Sequence, residues 1–337
     1  MRYPNQSKVS ARLHDEALRS LHKLKDNHSR ILQKIWGHTR RELRRSLYDA
    51  YKSLVPRGRW NLSIYHMSGV ESHLRVVLHG ILARFRALST LHMRNGFKDL
   101  RWYSALRHGW VLDQVTPQSQ SVKLPHAVWG GRSGIREAGI VKRYTNTAWD
   151  DRWSQWIEGY HSALLTNVRM EAVNESGVDD IMAEVDVTKV STPASTLEAS
   201  MSRLFNFESI AAIAAGEKDI ADLNDDMMDT EIWRTGGGAT VCDDCDANEG
   251  KTIEETDGDI PLHPNCECFW EMVPQSFASL LRSGSEEDIA LANALQAQGL
   301  VPQSMIIRDE DGNISGQFVV SFEQWLKGQG QWLGSLQ

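Results

Sequence analysis

Apolar side chains recur at three- and four-residue steps through the first hundred residues of the chain. Ala17, Leu21, Leu24, Ile31 and Ile35 share one stripe, with His28 in the missing place, and Leu43, Leu47, Ala50 and Leu54 extend it. That period predicts a long amphipathic helix, stopped at Pro56–Gly58. A second helix is expected over 69–93, with Leu74, Val77, Leu78, Ile81, Phe85 and Leu88 turned inward. Between about Leu112 and Gly134 the period is lost to Pro, Gly, Ser and Gln. Such a segment reads as a linker or extended arm, or as an ordered loop on a neighbouring subunit.

Helical spacing returns with Trp149, Trp153, Trp156, Tyr160 and Leu164, an aromatic stripe that reads as core or subunit interface. Two shorter helices are expected over 178–185 and 196–215, divided at Ser191–Ser195, where serine and threonine offer an N-cap. The acidic run from Glu217 to Asp229 reads as a solvated helix or loop. The expected fold is mainly α: long N-terminal helices, a linker, then a helical/α+β domain with a small Cys/His metal-clipped ribbon. The corresponding division is a basic helical domain at 1–111 and a linker or arm at 112–147. A domain carrying the cysteine-rich motif spans 148–275, and a C-terminal helix and hairpin extension spans 276–337.

Composition narrows the class. With 337 residues, 41% hydrophobic and 24% charged, the chain has the make-up of a soluble globular protein of two or three domains. No apolar run of about 18 residues is present, so no membrane segment is expected. The first twenty residues lack the apolar centre of a secretory signal. A reducing compartment is therefore expected, where free or metal-bound thiols prevail over disulfides.

Charge is strongly partitioned. Residues 1–110 hold 22 Lys and Arg against 7 Asp and Glu, whereas the remainder is acidic enough to bring the whole chain to −7. Arg40, Arg41, Arg44 and Arg45 cluster on the first helix, and Arg75, Arg84 and Arg86 lie on the second. They read either as a solvated face or as a surface for DNA phosphates or an acidic partner. No base-reading motif accompanies them, so any DNA contact is expected to be sequence-independent.

All four cysteines fall in one window, as Cys242 and Cys245 in C-x2-C and Cys266 and Cys268 in "HPNCEC", with His263 three residues before Cys266. C-x2-C turns two thiolates toward one point, the usual half-site of a tetrahedral metal. Five groups compete for four places, and thiolate with imidazole suits zinc in a structural role. Two disulfides or free thiols remain as alternatives. The carboxylates of Asp243, Asp244, Asp246 and Glu249 disfavour a reactive cysteine nucleophile. "TGGGAT" lacks phosphate-loop spacing and reads as a flexible turn. "DEDGN" at 309–313 lacks the distal Glu of a calcium loop and reads as a hairpin turn.

Trp233, Thr235, Cys242, Cys245, Gly250, Pro261, His263, Pro264, Cys266 and Cys268 together resemble the C-terminal signature of Mu F-like phage head morphogenesis proteins, over residues 150–275. One departure is Glu267, where the family commonly has Arg. The resemblance implies a non-enzymatic minor head protein of a tailed bacteriophage. It would be made in the bacterial host cytoplasm and carried in the virion, in the capsid interior or at the portal vertex. Its expected partners are the portal and other capsid proteins, with packaged or ejected DNA as a further contact. The competing classes are a zinc-dependent enzyme (a nuclease or an ADP-ribosylating effector) and a zinc-containing DNA-binding regulator.

Overall fold

The computed structural model describes residues 4–54, 64–116, 122–124, 148–173, 196–236, 241–256, 260–263, 266–275, 290, 306–308, 314–317 and 321–328. The expected helix at 178–185, its break at 191–195, the turn at 309–313 and most of the 112–147 linker lie outside the described residues. The protein is mainly helical. Its long helices are α1 (Pro4–Leu54), α2 (Ile64–Val115), α3 (Trp149–Val173) and α4 (Leu197–Leu223). Strand β1 (Met228–Arg234), a single turn α5 (Asp243–Asp246) and strand β2 (Phe269–Pro274) follow. The chain continues through β3 (Ile306–Arg308), β4 (Ile314–Gln317) and α6 (Phe322–Gly328).

Local sequence explains several boundaries. Pro4 opens α1, where its missing N–H costs nothing. Asp150 and Asp151 occupy the first turn of α3, where negative charge complements the helix dipole. Thr196 caps α4 by accepting the Ala199 N–H at 3.2 Å.

Two compact units emerge, one of residues 26–96 and 138–208, the other of 1–25, 97–137 and 209–337. They draw on discontinuous segments, so α1, α2 and α4 each contribute to both. In the first unit Trp36, Phe85, Trp153 and Tyr160 form an aromatic cluster with ring centroids 5.2–5.8 Å apart. The indole N–H of Trp153 donates to Ser89 Oγ at 2.9 Å. The aromatic stripe of α3 is therefore core. The α1 stripe is rotated by one position from expectation at its centre: Leu32 and Trp36 are buried, while Ile31 is exposed. Leu88 likewise faces solvent.

The second unit packs Trp102, Leu106 and Trp110 of α2 with Leu13 and Ala17 of α1, Ile220 of α4, Met272 of β2 and Trp325 of α6. Helix α2 ends at Val115, past the position where the hydrophobic period weakens, and Leu112 and Val115 are buried here. Helix α4 likewise extends beyond 215. Its acidic end is one-sided: Asp222, Asp225, Asp226 and Asp229 face solvent as expected, whereas Glu217, Ile220, Ala221 and Asn224 are buried. Arg101 holds Asp219 through two hydrogen bonds of 2.7 and 2.9 Å. The β1–β2 pair is antiparallel, with Trp233 opposite Trp270 and Arg234 opposite Phe269. Strands β3 and β4 also pair antiparallel.

Candidate metal centre

The ribbon β1–β2 carries the cysteine window between its strands. Past β1, Gly236 crosses the Glu267 backbone so closely that a Cβ there would stand 2.7 Å from the Glu267 carbonyl oxygen. That approach holds the chain before C-x2-C against the segment from Cys266 to Cys268. Glu249 adds a second tie. Its carboxylate accepts the Thr235 N–H at 2.6 Å and an Arg234 N–H at 3.1 Å. Arg234 also bonds Glu271 of the neighbouring strand. Glu249 is thus a staple of the loop rather than a charge facing the sulfurs.

Between these ties the chain turns tightly. Gly250 sits at a φ of 81°, a left-handed conformation that favours glycine, and donates its N–H to the Trp233 carbonyl at 2.9 Å. Trp233 in turn donates to the Lys251 carbonyl at 2.8 Å. Thr252 and Glu255 close a reciprocal capping box on the next turn. The expected loop between the ligand pairs is present, although 257–259 and 264–265 lie outside the described residues.

Cys242 is the N-cap of α5, and its Sγ accepts the Cys245 N–H at 3.4 Å. That local bond points both thiols of C-x2-C the same way. His263 Nε2 lies 3.0 Å from Cys242 Sγ and 3.2 Å from Cys245 Sγ, and Cys245 Sγ lies 3.8 Å from Cys266 Sγ. Two overlapping triads result, Cys242–Cys245–His263 and Cys245–Cys266–Cys268, each with its ligand atoms within 4.8 Å of one another. Cys245 belongs to both. None of the four cysteines is in a disulfide. All five residues singled out by spacing converge, and they can hold a metal ion.

The donor set fits a soft or borderline cation. Two thiolates on one tetrahedral zinc stand about 3.8 Å apart, for Zn–S bonds of about 2.3 Å, which is the Cys245–Cys266 separation. The hydrogen bond from the Cys268 thiol pulls Cys266 down to about 5, and the same bond pushes Cys268 up. Burial pushes Cys245 up to about 12. The Cys245 backbone N–H lowers Cys242. Burial and the thiol–thiol hydrogen bonds thus push the four sulfurs in opposite directions, and a bound cation would displace protons as it deprotonates its ligands.

The basic residues are distributed differently. Arg41, Arg44 and Arg45 are exposed and Arg40 is half-buried. Arg75 pairs with Glu71, Arg84 with Glu42, and Arg86 with Glu158 at 3.8 Å. Spacing did not reveal a buried polar cluster in the second unit. His108 Nε2 stands 2.9 Å from Glu217 Oε1, both wholly buried, and the His14 ring lies 5.4 Å from that of His108. The Trp270 N–H donates to the other Glu217 oxygen at 3.2 Å. Only the three-dimensional fold joins these groups, because they come from α1, α2, α4 and β2.

No protein family, characterised protein or solved structure matches this chain.

Proposed function

We propose that this chain is a minor head protein of a tailed bacteriophage that acts at the portal during capsid assembly, with a structural zinc clipping its cysteine window. The observation that carries the reading is the combination of Trp233, Thr235, Cys242, Cys245, Gly250, Pro261, His263, Pro264, Cys266 and Cys268 in one stretch. Several of these have physical work that goes with such a clip: Trp233 and Gly250 bond to each other, and the cysteines and His263 adjoin. Zinc is the ion we assign, because thiolate and imidazole donors in tetrahedral spacing suit it and no redox change is required. The five candidate donors can fill all four places of a tetrahedral zinc with none left open for a catalytic water, so the reading is structural rather than enzymatic. DNA is the secondary partner, met through the exposed arginines of α1 without sequence preference.

Mass spectrometry of purified virions tests the role. The protein should be present at low copy number and should co-purify with the portal or procapsid. Absence from particles, or abundance equal to the major capsid protein, would refute it.

A further inference from the structure

Among the described residues of the unit of 26–96 and 138–208, an apolar seam is left uncovered. Helices α1 and α2 run antiparallel here: His28 meets His92, Trp36 meets Phe85, and Glu42 bonds Arg84. Stepping back from Glu42 by helical turns gives His38, Ile35 and Ile31 on the same flank of α1. Stepping forward from Arg84 gives Leu88 and Leu91 on the facing flank of α2. Ile31, Leu88 and Leu91 are 42%, 56% and 54% exposed, and Ile35 is half-buried. Helix α3 packs along the opposite flank of α2, where Arg86 reaches Glu158 and Arg94 reaches Asp150. It does not cover the seam.

Charge around the seam is predominantly positive, with Asp49 the exposed acid at its far end. Lys34, Arg41 and Arg45 form the adjoining exposed row of α1, and the acid within the seam, Glu42, is already bonded to Arg84. We infer that this seam is a docking groove for an acidic amphipathic helix of a partner protein. Its apolar residues at i, i+3/i+4 and i+7 would fill the groove beside Ile31, Leu88 and Leu91, and its flanking carboxylates would meet Lys34, Arg41 and Arg45. A second copy of the chain is disfavoured, because a twofold contact would bring the same cations together. Duplex DNA would use the cations but leave the apolar side chains without a counterpart. The inference concerns α1 and α2 alone and stands whether or not the chain is a head protein.

A fluorescent helix-forming peptide with leucines along one face and glutamates flanking them is the probe, titrated against the full chain by anisotropy. The control peptide has the same composition with its leucines spread around the helix. The amphipathic peptide should bind at least about tenfold more tightly, a difference of about 1.4 kcal/mol. Leu88→Gln with Leu91→Gln, a charge-neutral change at exposed helix positions, should abolish that preference while circular dichroism and the melting midpoint stay unchanged. Ile31→Gln on the other helix should act in the same direction. Equal affinity for both peptides, or an unaltered preference in folded variants, would overturn the groove. So would light scattering that shows a dimer dispersed by the leucine variants, which would assign the seam to a second copy. Preferential, leucine-dependent binding to phosphatidylserine vesicles over the peptide would assign it to a membrane and equally overturn the proposal.

Discussion

The sulfurs of Cys245 and Cys266 stand 3.8 Å apart, nearly twice the length of a disulfide bond and the edge of a tetrahedral thiolate–metal site. Because Cys245 also adjoins Cys242 and His263, it is the ligand that both triads share.

A metal ranking follows from that sharing. Reduced, freshly purified protein should contain about one zinc per chain. Cys245→Ser should lose it entirely, whereas Cys242→Ser and Cys268→Ser each break only one triad, so one of the two should retain metal. Elemental analysis with thermal melts of the three variants checks the order. Full zinc in Cys245→Ser, or none in the wild type, would remove the clip.

Gly216 and Gly159 should respond oppositely to the same substitution. A Cβ at Gly216 would stand 2.7 Å from Ser104 Cβ and closer still to the Arg101 carbonyl, whereas nothing lies within 4 Å of one at Gly159. Gly216→Ala should cost about 1–3 kcal/mol by forcing α4 off α2. Gly159→Ala, in an exposed helix interior, should stabilise by about 0.5–1 kcal/mol. Urea midpoints distinguish the two, and equal shifts would contradict the packing.

Acid should weaken the unit that buries His14. Burial, aided by the adjacent His108 ring, lowers His14 from 6.5 to about 3. An unfolded chain takes up that proton as pH falls through about 6.5, while the folded chain refuses it until about 3. Stability from this group is therefore full above 6.5 and declines toward pH 3, by up to about 1.4 kcal/mol per pH unit. Glu208 has the opposite slope. Burial raises it to about 7 despite Arg152, so its contribution falls as pH rises from 4.5 to 7. Denaturant titrations of wild type and His14→Leu between pH 4 and 6 should differ by about one proton in slope. Parallel curves would show that His14 does not titrate in this way.

DNA binding, if carried by α1, should be steeply salt-dependent. Neutralising about six phosphates predicts a loss on the order of 10³-fold from 50 to 200 mM salt, with no preference among unrelated duplexes. Reversing Arg40, Arg41, Arg44 and Arg45 to Glu should abolish it. A salt-insensitive isotherm, or an unaffected quadruple variant, would restrict these arginines to protein partners.

Helix content, the aromatic core of α3, the pairing of β3 with β4 and the convergence of five Cys and His side chains that could hold a metal were all legible in the chain itself. Each is encoded locally, by a 3.6-residue apolar period or by a short ligand spacing, and local geometry carries such signals without help from distant segments. Other features belong to the tertiary structure alone. Whether Leu32 or Ile31 turns inward depends on where α2 lies against α1, and the same contact leaves Leu88 exposed on an apolar stripe. Glu217 reads as a solvated acid until His108 and the Trp270 N–H are brought around it from 109 and 53 residues' distance along the chain. Glu249 reads as a charge beside thiols until Arg234 and Thr235 claim it. In each case the deciding energy is a desolvated contact between remote segments, and a desolvated contact has no period in the sequence.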